Sequence, residues 1–169
     1  MAKLHLEENT EIGNTGVTLK DLINNYGMMQ YVGTTTTGSK WSYVDIISSS
    51  VILSDNFKLY NNRTLNVYNA KTISISFRIQ FTSDSYSFTN HVKLYVQPTK
   101  DGKVVNQKTY EIWNKSDYKE YSLSDLIVNF DGVDYDYIAV TLCKYTDNTN
   151  NKIITTDDAD NHLTVTILK

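Results

Sequence analysis

The sequence offers almost nothing with which to staple, kink or hinge a chain. Of 169 residues, one is cysteine, one is proline and seven are glycine. A lone Cys143 excludes an internal disulfide, so any core has to hold by packing alone. Its place in the apolar run Ile138 to Cys143 reads as a small buried side chain rather than a nucleophile. Charge of one sign is also missing. Sixteen basic and nineteen acidic residues give a formal net charge of -3, and the basic ones are scattered singly. A nucleic-acid partner therefore lacks its usual electrostatic footprint. No segment approaches the roughly 18 apolar residues of a membrane-spanning helix, and Met1 to Glu8 has no signal-like apolar stretch. The expectation is synthesis in a cytoplasm without membrane insertion, which is compatible with later release by lysis.

The common catalytic signatures are absent as well. There is no Gly-rich phosphate loop, no Gly-x-Ser-x-Gly elbow and no cysteine cluster. His5, His91 and His162 are far apart in sequence, outside any metal-ligand spacing, and read as surface residues. Carboxylate pairs such as Asp134 with Asp136, or Asp117 with Glu120, are too common in a chain of this size to indicate a glycosidase. The protein is read as a non-enzyme.

What the chain does have is alternation. Apolar residues make up 40% and charged residues 21%, enough to bury a core and too little charge for disorder. Between Thr72 and Phe81, Ile73, Ile75, Phe77, Ile79 and Phe81 alternate with Thr72, Ser74, Ser76, Arg78 and Gln80. That period of two puts one apolar and one wet face on a single strand. It recurs at Val92, Leu94, Val96, at Ile138, Val140, Leu142, and at Leu163, Val165, Ile167. Further strands are expected at 28–32, 40–47, 50–53, 57–60, 64–68 and 104–113. Short strands at this spacing mean a sandwich or barrel, and the fold class expected over 17–169 is an all-β antiparallel sandwich of jelly-roll type.

Lys100-Asp101-Gly102-Lys103 marks a hairpin. A two-residue Asp-Gly loop sets Val92 opposite Glu111 and Leu94 opposite Thr109, which puts polar residues on the core face. A three-residue loop sets Tyr110 and Ile112 there instead, so a longer loop with Gly102 left-handed is predicted. Pro98 is expected near a strand end, where its missing donor does little harm.

Residues 1–16 are polar and aperiodic and read as an extended arm. One short helix is predicted next. Thr18 is its N-cap with Asp21 three residues on; Leu19, Leu22, Ile23 and Tyr26 fall at helical spacing, and Gly27 suits the C-terminal cap. Two turns are not stable alone, so the helix must pack on the sandwich or on a partner.

Two features point to ligands. Thirteen tyrosines and two tryptophans exceed what the core requires, and tyrosine suits surfaces that recognise sugars or proteins. Tyr86, Tyr95, Trp113, Tyr118 and Tyr121 fall off the core phase or in turns, and the first four are candidates for a ligand surface. Asp157, Asp158 and Asp160, before the last strand, concentrate hard oxygen ligands suited to an irregular Ca2+ site. They equally suit a solvated turn.

The polar arm with Ile12-Gly13-Asn14-Thr15-Gly16, the helix at Thr18-Leu19-Lys20-Asp21-Leu22 and the sandwich ending in Asn161 to Leu168 together resemble accessory virion proteins of phages infecting low-GC bacteria. That resemblance covers the whole chain in style and rests on no diagnostic motif. It implies a head-fibre, capsid-decoration, tail or baseplate role. Ile12, Leu19, Leu22 and Ile23 would then anchor to other virion proteins, and an outward sandwich, often trimeric, would stabilise the shell or touch a host glycan. The competing class is a carbohydrate-binding module of a secreted bacterial protein. If the acidic turn holds calcium in the native state, millimolar calcium raises the melting temperature; an unchanged thermal transition disposes of a stabilising site in that range.

Overall fold

The computed structural model describes Thr18 and residues 26–30, 35–36, 41–44, 52–83, 90–114, 120–146, 153–155 and 161–169. They contain fourteen strands and no helix. These are β1 (Tyr26–Gln30), β2 (Thr35–Thr36), β3 (Trp41–Tyr43), β4 (Ile52–Leu53), β5 (Phe57–Tyr60), β6 (Thr64–Val67) and β7 (Thr72–Ser83). Then come β8 (Asn90–Lys100), β9 (Lys103–Val104), β10 (Lys108–Asn114), β11 (Glu120–Asn129), β12 (Tyr137–Thr146), β13 (Ile153–Thr155) and β14 (His162–Ile167).

They form two antiparallel sheets. The first runs β2-β13-β7-β14-β1-β4 with β11 on the other edge of β7; the second runs β10-β8-β12-β6-β5, with β3 on β12 and β9 on β8. The chain crosses between sheets after β2, β3, β4, β6, β7, β10, β11 and β12, so most sequence neighbours face each other across the core instead of pairing. The alternating residues meet there. Ile73, Ile75, Phe77 and Ile79 from β7 and Leu163, Val165 and Ile167 from β14 are buried on one side. Val92, Leu94 and Val96 from β8 and Ile138, Val140 and Leu142 from β12 are buried on the other.

The start of the chain departs from the helical reading. Tyr26 and Gly27, predicted as last turn and cap, belong to β1 and stand opposite Thr166 and Val165. Thr18, the predicted N-cap, sits in an isolated β-bridge. A two-turn segment gains little from local hydrogen bonds, whereas β14 offers five successive pairs to Tyr26–Gln30. Ile12, Leu19, Leu22 and Ile23, and the whole arm 1–16, lie outside the described residues.

Strand β11 was not legible in the sequence. Tyr121 and Leu123 keep the inward phase, but the next inward residues are Leu126 and Val128, so the spacing jumps from two to three. The structure places a bulge there: Leu123 pairs with Phe77 and Leu126 with Ile75. Asp125 absorbs the extra residue with φ of 53°, and its N–H donates to Ser76 Oγ at 3.0 Å. Tyr121, read as a turn or surface tyrosine, is consequently a core residue, 2% exposed.

The hairpin reconciles two signals that looked incompatible. Lys100 pairs with Lys103 and Thr99 with Val104, so the loop is the two-residue Asp101-Gly102 turn and not a three-residue one. Both residues take positive φ, 49° and 71°, as a type I′ turn requires. Yet Tyr110 pairs with Leu94 and Ile112 with Val92, the register that the apolar pattern demanded. The extra residue is taken up between Val104 and Lys108, outside any strand. Pro98 faces that interruption, its carbonyl accepting from Val105 N at 2.9 Å. Pro98 stands two residues from the end of β8, as expected, and the donor it lacks falls where the ladder is already interrupted.

Two substitutions test these backbone assignments. Nothing lies within 4 Å of a Cβ built on Gly102, so Gly102→Ala should cost only the left-handed strain, about 1–2 kcal/mol by urea unfolding. Asp125→Val should lose a similar amount at the bulge, about 1–2 kcal/mol, while Asp125→Gly stays near wild type. Equal stabilities for the valine and glycine variants would remove the left-handed assignment.

Candidate functional site

Strand β12 is buried on both faces. Ile138, Val140 and Leu142 point into the core, and the alternate residues Ala139, Thr141 and Cys143 are also at most 9% exposed. Neighbouring side chains on the outer face of the second sheet cover them. Thr141 and Thr64 share a 2.9 Å hydroxyl hydrogen bond. Cys143 stands between Tyr43 on β3 and Lys93 on β8, and Lys93 is ion-paired with Glu111. Burial pushes the Cys143 thiol up to about 12, so no thiolate is available at neutral pH.

The register builds this outer face in cross-strand rows. One row runs Tyr60, Thr64, Thr141, Tyr95 and Thr109; the next runs Lys58, Asn66, Ala139 and Gln97. Ala139 is the smallest member of its row, and a hollow opens above it. The result is a groove of about 480 Å³ with Asn66, Ala139 and Gln97 in its floor. Tyr60, Tyr68 and Tyr137 line it, and the hairpin residues Gly102 and Val104 close one end. The Tyr68 and Tyr137 rings stand 5.8 Å apart at 47°, whereas Tyr60 is 57% exposed. Gln97 is fixed by donating to Gln107 Oε1 at 2.7 Å. Asn66 is only 7% exposed. The lining holds one cation, Lys58, and no carboxylate, so the groove presents aromatic faces, amides and hydroxyls to a ligand.

The hairpin wall is clamped from below. Asp136 accepts from Asp101 N at 2.8 Å and its own N–H donates to Thr99 O at 2.8 Å. Lys100 Nζ reaches Asp134 at 3.2 Å and Asp136 at 3.1 Å. The Asp101 N–H, and then Lys100, hold the Asp136 carboxyl below the usual carboxylate range. The pair Asp134 and Asp136 thus holds Lys100.

Of the predicted ligand residues, Tyr95 stands on the outer face between Lys93 and Gln97 as expected, half-buried, with its hydroxyl pKa raised chiefly by burial. Trp113 is in β10 opposite His91, where only its backbone is described. Tyr86, Tyr118, Asp157, Asp158 and Asp160 lie outside the described residues. Among the described residues no group of three or more His, Cys, Asp or Glu is placed to hold a metal. His91 is 2% exposed and not a surface residue; burial lowers its pKa, with Glu111 opposing. Tyr60, Tyr68, Tyr137 and Asn66 were missed. Their signal was the polar phase of the runs 57–60, 64–68 and 137–141, but which strands lie side by side is not written in any of them.

No family model matches the sequence, and no curated protein matches it. Solved structures do. Murine APRIL at pH 8.0 superposes with a TM-score of 0.59 at 12% identity, covering 85% of this chain and 98% of that one. A chain in the structure of the infectious bursal disease virus Gx strain gives 0.54 at 10% identity, covering 84% of this chain and 31% of that one. The chain is a jelly-roll β-sandwich. At such identities the likeness is one of fold alone.

Because the folded-state pKa of Asp136 is depressed, its clamp is fully effective above the unfolded value near 3.8 and is lost as pH falls through the lower folded value. Asp136→Asn should therefore be less stable than wild type at pH 7, with the two thermal transitions converging toward pH 3. A constant gap across that range would refute the clamp.

Proposed function

We propose that this protein is an accessory component of a phage virion, carrying its sandwich outward and its N-terminal arm toward other virion proteins. The observation that carries this reading is the jelly-roll sandwich, superposable on a chain of a virus particle, in a sequence that opens with a polar, aperiodic arm. The role is structural and binding, not catalytic. It works as a homo-oligomer, with a trimer favoured by the resemblance to phage fibres and decoration proteins, and its exposed face meets a host glycan. The tyrosine-lined groove supports that last element and is equally what the competing reading, a carbohydrate-binding module, requires.

Particle work tests the proposal. Purified virions should contain the protein at repeated symmetric positions by electron cryomicroscopy and mass spectrometry, and deletion of residues 1–16 should abolish particle attachment while leaving the circular dichroism of the sandwich intact. Absence from purified virions would end the virion reading, and undiminished attachment without the arm would end the anchor.

A further inference from the structure

Asn66 is 7% exposed as a residue, lies in the groove floor, and its carboxamide makes no hydrogen bond to another described residue. Its amide atoms are not sealed from the groove, so water satisfies them when the groove is empty and a ligand's hydroxyls can take the place of that water. We propose that the groove above Ala139 binds one neutral pyranose unit of a glycan, with Asn66 reading its hydroxyls and Tyr60, Tyr68 and Tyr137 packing against its ring.

The donor and acceptor pattern fits. A carboxamide offers an NH2 and a carbonyl side by side, complementary to adjacent hydroxyls that each donate and accept. Gln97, across Ala139 from Asn66, uses an NH2 proton on Gln107 and keeps its carbonyl oxygen for a second hydroxyl. Tyrosine rings present the apolar wall that the C–H face of a pyranose requires. Two of them are tilted against each other, and the third stands free at the rim. The volume of about 480 Å³ lies within the roughly 300–1,000 Å³ of small-molecule sites.

Charge and backbone argue against the other occupants. A single lysine in the lining makes no bidentate site for a phosphate or carboxylate group. The floor strand β12 is hydrogen-bonded on both edges, to β6 and β8, so it has no backbone groups left to add an extended peptide. Ala139 is central: any longer side chain there fills the space the ring would take.

This inference rests on the glycan-facing part of the proposed function and gives it a location and a ligand class. The test is a titration of the 15N-labelled full chain with the methyl glycosides of glucose, galactose, mannose and N-acetylglucosamine. The readout is the side-chain NH2 pair of Asn66, assigned by its loss in Asn66→Val. At least one sugar should shift that pair saturably. Binding, followed on backbone resonances of 64–68 and 137–141, should weaken about ten-fold in Asn66→Val, as for loss of a neutral hydrogen bond, and vanish in Ala139→Gln. Asn66→Val should keep or raise the melting temperature, which separates lost binding from lost folding.

No shift with any of the four sugars overturns the inference, whatever the virion result. So does sugar binding that both variants leave unchanged, which places the glycan elsewhere on the protein. Shifts that follow protein concentration rather than sugar assign the groove to a second copy and also overturn it. A pyranose bound here by a protein missing from virions would leave the inference standing and remove the phage reading.

Discussion

Strand β12 has to satisfy two environments at once, and the rest of the molecule is arranged around that demand. Its inward residues Ile138, Val140 and Leu142 close the core against β7 and β14, while its outward residues are small enough to be covered by side chains from the strands on either edge. A strand with water on one face tolerates long polar residues there; one covered on both does not. Hence the outward sequence Ala139, Thr141, Cys143, and hence the hydroxyl pair with Thr64 that satisfies Thr141. The groove follows directly: where the smallest of these residues meets two amides, covering is incomplete.

Much of this was written in the sequence as period two. The four strongest alternating runs are β7, β8, β12 and β14, and they supply most of the buried core. The failures have specific physical causes. In β11 a bulge at Asp125 breaks the period, so a strand of ten residues looked like loop. At Tyr26 and Gly27 helical spacing coexisted with a strand partner more than a hundred residues away, and long-range pairing won over a weak local preference. The hairpin is the most instructive. Asp-Gly fixed the turn and the apolar pattern fixed the register, and both held because an irregular stretch opposite Pro98 takes up the difference.

The site was less legible than the fold. Phase alone placed Tyr95 outward, since that requires knowledge of one strand only. Assembling Tyr60, Asn66, Ala139 and Gln97 requires knowing that β5, β6, β12 and β8 lie side by side, and no local rule orders strands in a jelly roll. Alanine is also an unlikely marker to seek, because its contribution is the space it leaves. Fold likeness to murine APRIL and to a chain of a virus particle is in keeping with this: one sandwich carries different functions through what its outer faces present.

The central claim is that β12 lies in the middle of the second sheet, paired on both edges and covered on both faces except above Ala139. Residue-resolved amide hydrogen exchange of the folded chain addresses it most directly. The amides of Val140, Thr141 and Leu142 should exchange only through global unfolding, with a free energy equal to that from denaturant. Exchange of these three at the rate of the hairpin tip at Asp101 and Gly102 would contradict it, because it would mean an edge or an open strand where the account requires the most protected one.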